Sequence, residues 1–195
     1  TQLVLVKDHL TMEVIGETQD DAVGEAFDKT AKLLGLPYPG GPLLDRHAKE
    51  GNPKAFTFPV TRMPGLNYSF SGIKTAVLYF LRDRLAENPN FIAENLADLC
   101  ASIQYTLVEM LLIKLKVAMK EYGITEVAIA GGVSANSGLR TTLSALSLRK
   151  GWTLYVPEFE YCTDNAGMIA MAAHYKYLRG EFVGYDITPL AKMKF

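Results

Sequence analysis

A chain of 195 residues, 49% hydrophobic and 21% charged, can bury one sizeable core, and its formal charge of -1 gives no global field for binding nucleic acid. No run of about 18 apolar residues stands out, so no membrane span is expected, and no signal peptide is visible. Cys100 and Cys162 form no CxxC pair and suit a reducing cytoplasm, while His9, His47 and His174 lack metal-ligand spacing. A local basic patch stays open at Arg140, Arg149 and Lys150.

Leu3-Val4-Leu5-Val6 and Thr11-Met12-Glu13-Val14-Ile15 read as a β-hairpin over Thr1 to Glu17, turning at Lys7-Asp8-His9. Thr18-Gln19-Asp20-Asp21 has capping-box spacing for a helix whose buried stripe is Val23, Phe27, Thr30 or Ala31, and Leu34, stopped by Gly35. Asp28 stands on another face among small residues. It is either half of a surface pair with Lys32 or an acceptor for a ligand. Leu36-Pro37-Tyr38-Pro39-Gly40-Gly41-Pro42 is a rigid glycine turn, and a short helix from Leu43 carries Asp45 and His47. Two carboxylates flanking a glycine loop are what a ribose diol requires, although two solvated acids would look the same.

Asn52 to Leu66 carries Pro53, Pro59 and Pro64 around a short strand at Phe56-Val60. Ser71 is placed to cap a helix over 72–85, and Gly72-Ile73-Lys74-Thr75 is not a P-loop because Ile73 separates glycine from lysine. Ile92, Leu96, Leu99, Ile103, Leu107 and Met110 recur at three-to-four spacing along a core helix from about Phe91 to Glu121. Val127-Ala128-Ile129-Ala130 then reads as a buried strand broken by Gly131-Gly132, with a helix beginning at Ser134. A strand, a glycine turn and a helix start leave bare backbone N–H groups at a strand's carboxyl end, the usual ligand crevice of α/β proteins. Trp152 to Pro157 is a further strand. Thr163 and Asp164 are placed at the N-cap and first position of a last helix, whose Ala- and Gly-rich side should pack closely.

In this order, Asp20-Asp21-Ala22-Val23-Gly24-Glu25-Ala26-Phe27-Asp28-Lys29, Tyr38-Pro39-Gly40-Gly41-Pro42 and Asn67 to Thr75 resemble the TsaD family. Gly131-Gly132-Val133-Ser134-Ala135-Asn136 and Cys162-Thr163-Asp164-Asn165-Ala166-Gly167-Met168 extend the resemblance over essentially the whole chain. The family comprises tRNA N6-adenosine threonylcarbamoyltransferases, formerly called glycoproteases.

The resemblance implies an α/β fold: an actin/Hsp70-like ATPase (ribonuclease H-like) lobe with an inserted helical region, the N-terminal lobe missing. It divides residues 1–195 into 1–18, the end of the N-terminal lobe sheet, and 19–195, the C-terminal lobe with the helical insertion. It places Asp28, Gly41, Asp45 and Asn136 on an adenine nucleotide (threonylcarbamoyl-AMP or ATP), and Asp164 on one divalent metal, iron or zinc. No catalytic residue is assigned. The implied reaction moves threonylcarbamoyl from its AMP mixed anhydride to N6 of adenosine 37 in tRNAs reading ANN codons, with TsaB-like and TsaE-like partner proteins and a cytoplasmic setting. The family's HxxxH pair and SGGH segment have no counterpart here, so the chain is expected to be a C-terminal portion that is inactive alone. A non-catalytic nucleotide-binding or assembly module is the alternative from another class. A metalloprotease lacks support, because no HExxH is present.

Overall fold

The computed structural model describes residues 1–190. Strands β1 (Gln2–Asp8) and β2 (Thr11–Glu17) form the expected antiparallel hairpin, with the turn at His9-Leu10, slightly later than the sequence suggests. Helices α1 (Val23–Leu33), α2 (Gly40–Ala48), α3 (Ser71–Glu87), α4 (Phe91–Tyr122), α5 (Ser137–Lys150) and α6 (Ala166–Leu178) follow. Short strands β3 (Glu126–Ala128) and β4 (Thr153–Tyr155) pair in parallel on either side of α5, with Val127 opposite Leu154. This is the βαβ unit that the alternating apolar segments predict. Among the described residues the two strand pairs remain separate sheets.

Helix α4 organises the interior. Leu99, Cys100, Ile103 and Leu107 are fully buried and join Phe27 and Ala31 of α1, Leu44 of α2 and Ile73 and Val77 of α3 in the main core. Val108 and Leu112 of the same helix meet Leu139, Leu143 and Leu146 of α5 in a second cluster. Contrary to expectation, α4 is long and apolar enough to cross a membrane, but 61% of its most apolar window is buried inside the protein. That burial makes it a core helix. The expected strand at Phe56-Val60 is irregular, because three nearby prolines interrupt ladder formation. Its aromatic rings pack instead, Phe56 and Phe58 lying 5.3 and 5.5 Å from Phe80.

The capping box at Thr18 to Asp21 does not start α1. That helix begins later, at Val23, whose N–H donates to Thr1 Oγ1 at 2.8 Å. Asp20 caps α3 instead. Its Oδ1 accepts from the Phe70 and Ser71 N–H groups at 2.8 and 3.3 Å, and its Oδ2 accepts from Ser69 and Ser71 Oγ at 2.6 and 2.7 Å. Ser71, expected as the cap, is the first helical residue. Desolvation pushes the Asp20 carboxyl up, but the hydrogen bonds from Ser69, Ser71 and Phe70 outweigh it and hold the group down at about 2.

An unfolded aspartate titrates near pH ~4, so this cap contributes fully above that value and fades as pH falls toward the folded value. Asp20→Asn is expected to lose about 1 kcal/mol at pH 7 in urea melts. The gap from wild type should close as the pH falls from about 4 to about 2. A gap that persists at the acid end would show that Asp20 does not hold this helix through its charge.

Helix α6 has no buried residue. Its small-residue side, expected to pack closely, is exposed among the described residues, and the helix is held at its end. There Arg179 Nη2 donates to both Asp8 carboxylate oxygens at 2.7 Å, and His9 stacks on Tyr175 at 3.8 Å. The N-cap is Asn165, whose Oδ1 accepts from the Met168 N–H at 3.0 Å. Thr163 and Asp164 therefore lie in the preceding loop, because the asparagine side chain is the one that reaches the third helical N–H.

Candidate functional site

A cleft of about 790 Å³ opens where β3 ends. Gly24, Phe27 and Asp28 of α1, Gly41 and Asp45 of α2, and the turn from Gly131 to Asn136 all line it. Segments as distant in the chain as Gly24 and Asn136 thus converge on one concavity.

The packing of α2 on α1 explains the placement of its two acids. A Cβ built on Gly40 would fall 2.4 Å from Ala31 Cβ, so only glycine permits this approach of the two helices. The approach brings the start of α2 against Asp28, whose Oδ1 accepts from the Gly41 N–H at 2.8 Å. Pro39 at the N-cap position makes no side-chain cap, so Asp28 supplies one from the neighbouring helix. The Asp28–Lys32 surface pair weighed from the sequence does not form. Asp45 repeats the device one helix further on. Its Oδ1 accepts from both the N–H and the Oγ of Ser137, the first residue of α5, at 3.1 and 2.7 Å. Both aspartates are half-buried at the cleft wall, and among the described residues their hydrogen bonds go to Oδ1 only. One oxygen of each carboxylate is fixed to the scaffold while the other remains able to accept.

Gly41 has a different meaning from Gly40. A Cβ there would meet Asp28 Oδ1 and Phe27 Cβ at 3.6 Å each, which is ordinary contact, so the fold tolerates a side chain while the cleft would lose space to it.

On the opposite wall, Gly131 adopts φ +81°, a value that favours glycine, and residues Gly132–Ala135 form a 3-10 turn. That turn delays α5 beyond the expected Ser134. Asn136 is the N-cap, its Oδ1 accepting from the Leu139 N–H at 2.9 Å. Its Nδ2 donates to Gln104 Oε1 at 2.7 Å. The amide is therefore oriented with its nitrogen toward α4, and one further Nδ2 hydrogen is left over. Ser134 also lines the cleft, and its buried Oγ has no hydrogen-bond partner among the described residues.

Gln104 escaped the reading of the sequence. It sits on the buried side of α4, 8% exposed, and the signal was present: a glutamine within an apolar stretch needs a partner. Gly138 makes room for it, since a Cβ there would lie 2.5 Å from Gln104 Nε2.

Asp164 stands apart. It is exposed, and its neighbour Thr163 rather than Asp164 itself lines the cleft. Among the described residues no group of three or more His, Cys, Asp or Glu side chains lies together as a metal site. The donors present do not make a complete site, and Asp164 can offer a single carboxylate. Arg149 and Lys150 are exposed at the end of α5, whereas Arg140 is half-buried and engaged internally, so no three-residue basic patch forms.

Fold and site together define an α/β protein with a largely apolar cleft, carrying a few polar groups, at the carboxyl end of a parallel strand. Residues 1–171 match the family model described as TsaD: tRNA N6-adenosine threonylcarbamoyltransferase. The chain is 60% identical over 194 residues to a protein of that name from Cytophaga hutchinsonii, which covers 100% of this chain and 57% of the relative. A relative of the same name from Christiangramia forsetii is 59% identical over 195 residues, with 100% and 57% coverage. One from Porphyromonas gingivalis is 53% identical over 193 residues, with 99% and 57% coverage. The chain belongs to the TsaD family, and it spans a little over half the length of these curated relatives.

Proposed function

We propose that the cleft binds the adenylate end of threonylcarbamoyl-AMP, or ATP, and that this chain contributes that half of a site transferring threonylcarbamoyl to N6 of adenosine 37 in tRNA. The observation that carries this reading is the convergence of Asp28, Gly41, Asp45 and Asn136 on one cavity, each carboxylate keeping a spare acceptor oxygen. In this reading the free oxygens of Asp28 and Asp45 accept the ribose hydroxyls. The spare Nδ2 hydrogen of Asn136 donates to an acceptor on the nucleotide. The exposed Gly131-Gly132 backbone faces its polar end, as strand-end turns do for phosphates. Binding in this way would hold the reactive carbonyl in a fixed place for attack by the adenosine amine.

A divalent ion, iron or zinc, would polarise the transferring group in the whole protein, with Asp164 as one oxygen ligand. Among the described residues the donor set is incomplete, and these 195 residues alone are expected to bind nucleotide without turnover. The family membership supports tRNA as acceptor, and the proposal extends to TsaB-like and TsaE-like proteins as partners and to a cytoplasmic setting. It also supports reading the chain as part of an actin/Hsp70-like lobe with a helical insertion, residues 1–18 being the end of another lobe's sheet.

Calorimetry with AMP tests the proposal. Asp28→Asn and Asp45→Asn keep an Oδ1 acceptor for the scaffold and turn the free oxygen into a donor. Each is expected to weaken AMP binding by about tenfold or more while changing stability little. AMP binding that both variants leave unchanged would refute the ribose assignment.

A further inference from the structure

Arg140, on the first turn of α5, makes more long-range contacts than its place on a helix surface would suggest. Its Nε–H donates to Ser134 O at 2.6 Å, in the turn that lines the cleft. Its Nη2 donates to Pro157 O at 2.8 Å and to Cys162 Sγ at 3.2 Å, both in the segment after β4. The guanidinium also lies over the Phe159 ring, 4.1 Å from its centroid. The Cys162 thiol in turn donates to Glu158 O at 3.5 Å and is buried. One planar cation thus satisfies acceptors on two segments that otherwise meet only loosely. It does so two residues from Asn136 on one side and two residues from Asp164 on the other.

We propose that Arg140 is a positioning residue that pins the Pro157–Asp164 loop to the Gly131–Asn136 turn, so that a ligand in the cleft is felt at Cys162 and at the Asp164 loop. This rests on the nucleotide reading above. The physical ground is geometric. A guanidinium presents fixed, coplanar donors in several directions at once, and here they are divided between the turn and the loop. Lysine keeps the charge but is a point donor and cannot reproduce the fork or the flat stack on Phe159. A ligand that fixes Ser134 and its neighbours thereby fixes Arg140, and Arg140 fixes the loop.

The experiment follows the rate at which a maleimide labels Cys162, quantified by peptide mass so that the core residue Cys100 is read separately, with and without AMP. In the wild-type chain saturating AMP is expected to slow Cys162 labelling by about threefold or more. Arg140→Lys should raise the nucleotide-free rate by about tenfold and abolish the AMP effect even when AMP is saturating for that variant. Phe159→Leu loosens only the loop end of the pin, and should speed labelling and shrink the AMP effect while leaving AMP affinity near wild type. A residue with a merely structural role would lower the melting temperature without removing the ligand-dependent protection. Wild-type labelling and wild-type protection in Arg140→Lys would overturn the proposal. If wild type binds no AMP, the nucleotide reading and the ligand coupling fall together, and the nucleotide-free rate of Arg140→Lys still decides whether the pin exists.

Discussion

Asn136→Ala is expected to lower stability by about 2–4 kcal/mol, from a lost N-cap of about 1 kcal/mol and a stranded buried acceptor of about 1–3 kcal/mol. The cap term arises because the Leu139 N–H loses the Asn136 Oδ1 partner at the start of α5. The second term arises because Gln104 Oε1 is buried on α4 and receives its hydrogen bond from Asn136 Nδ2. For a chain of this size the loss should appear as a fall in melting temperature of roughly 5–15 °C. Asn136→Asp separates structure from binding. Aspartate caps as well as asparagine does, and Gln104 can turn its amide to donate, so most stability should return. The donor offered to the cleft would still be gone, and AMP affinity should remain about tenfold or more below wild type. Recovery of both stability and affinity in Asn136→Asp would mean that Asn136 only caps a helix.

Gly40→Ala is expected to cost about 3 kcal/mol or more, although it adds a single methyl group. The added carbon would fall 2.4 Å from Ala31 Cβ, a rigid stub on the facing helix that cannot rotate away. The helices must part, and parting them pulls the Gly41 N–H from Asp28 Oδ1. AMP binding should therefore weaken together with the loss measured in urea melts. Gly41→Ala is the control, because its Cβ meets only ordinary contacts. It should spare stability and affect binding alone. A Gly40→Ala protein as stable as wild type would show that α1 and α2 can separate at little cost.

Periodicity carried the elements well. The three-to-four spacing of Leu99, Ile103 and Leu107 defines α4, and these residues are fully buried in the main core. The apolar run before Gly131 and the segment from Trp152 bracket α5 as two parallel strands, although both strands are shorter than the apolar runs. What local spacing could not show is which partner a polar side chain would choose across the fold. Asp20 has capping-box spacing for the nearest helix but serves α3, some fifty residues later. Ser134 and Thr163 look like caps, yet Asn136 and Asn165 do that work, because a 3-10 turn and a loop shift both helix starts. Asp28, Gly41, Asp45 and Asn136, which the sequence singled out as candidates, line one cleft. Asp164 was not placed by its motif, since its loop conformation depends on contacts with α5. Gln104 was hidden because helical periodicity sorts residues by face and says nothing of what a buried amide will meet.

The two aspartates that cap α2 and α5 from neighbouring helices carry an implication for how this protein can change over generations. Their carboxylates serve folding through one oxygen and remain available to a ligand through the other. Replacing either aspartate by a residue with no acceptor would strip the cap together with the spare oxygen, and cellular quality control removes poorly folded chains, so drift at these positions is confined to replacements such as asparagine that keep the fixed acceptor. If these carboxylates hold the nucleotide as proposed, recognition and durability share two side chains, and most replacements there touch both.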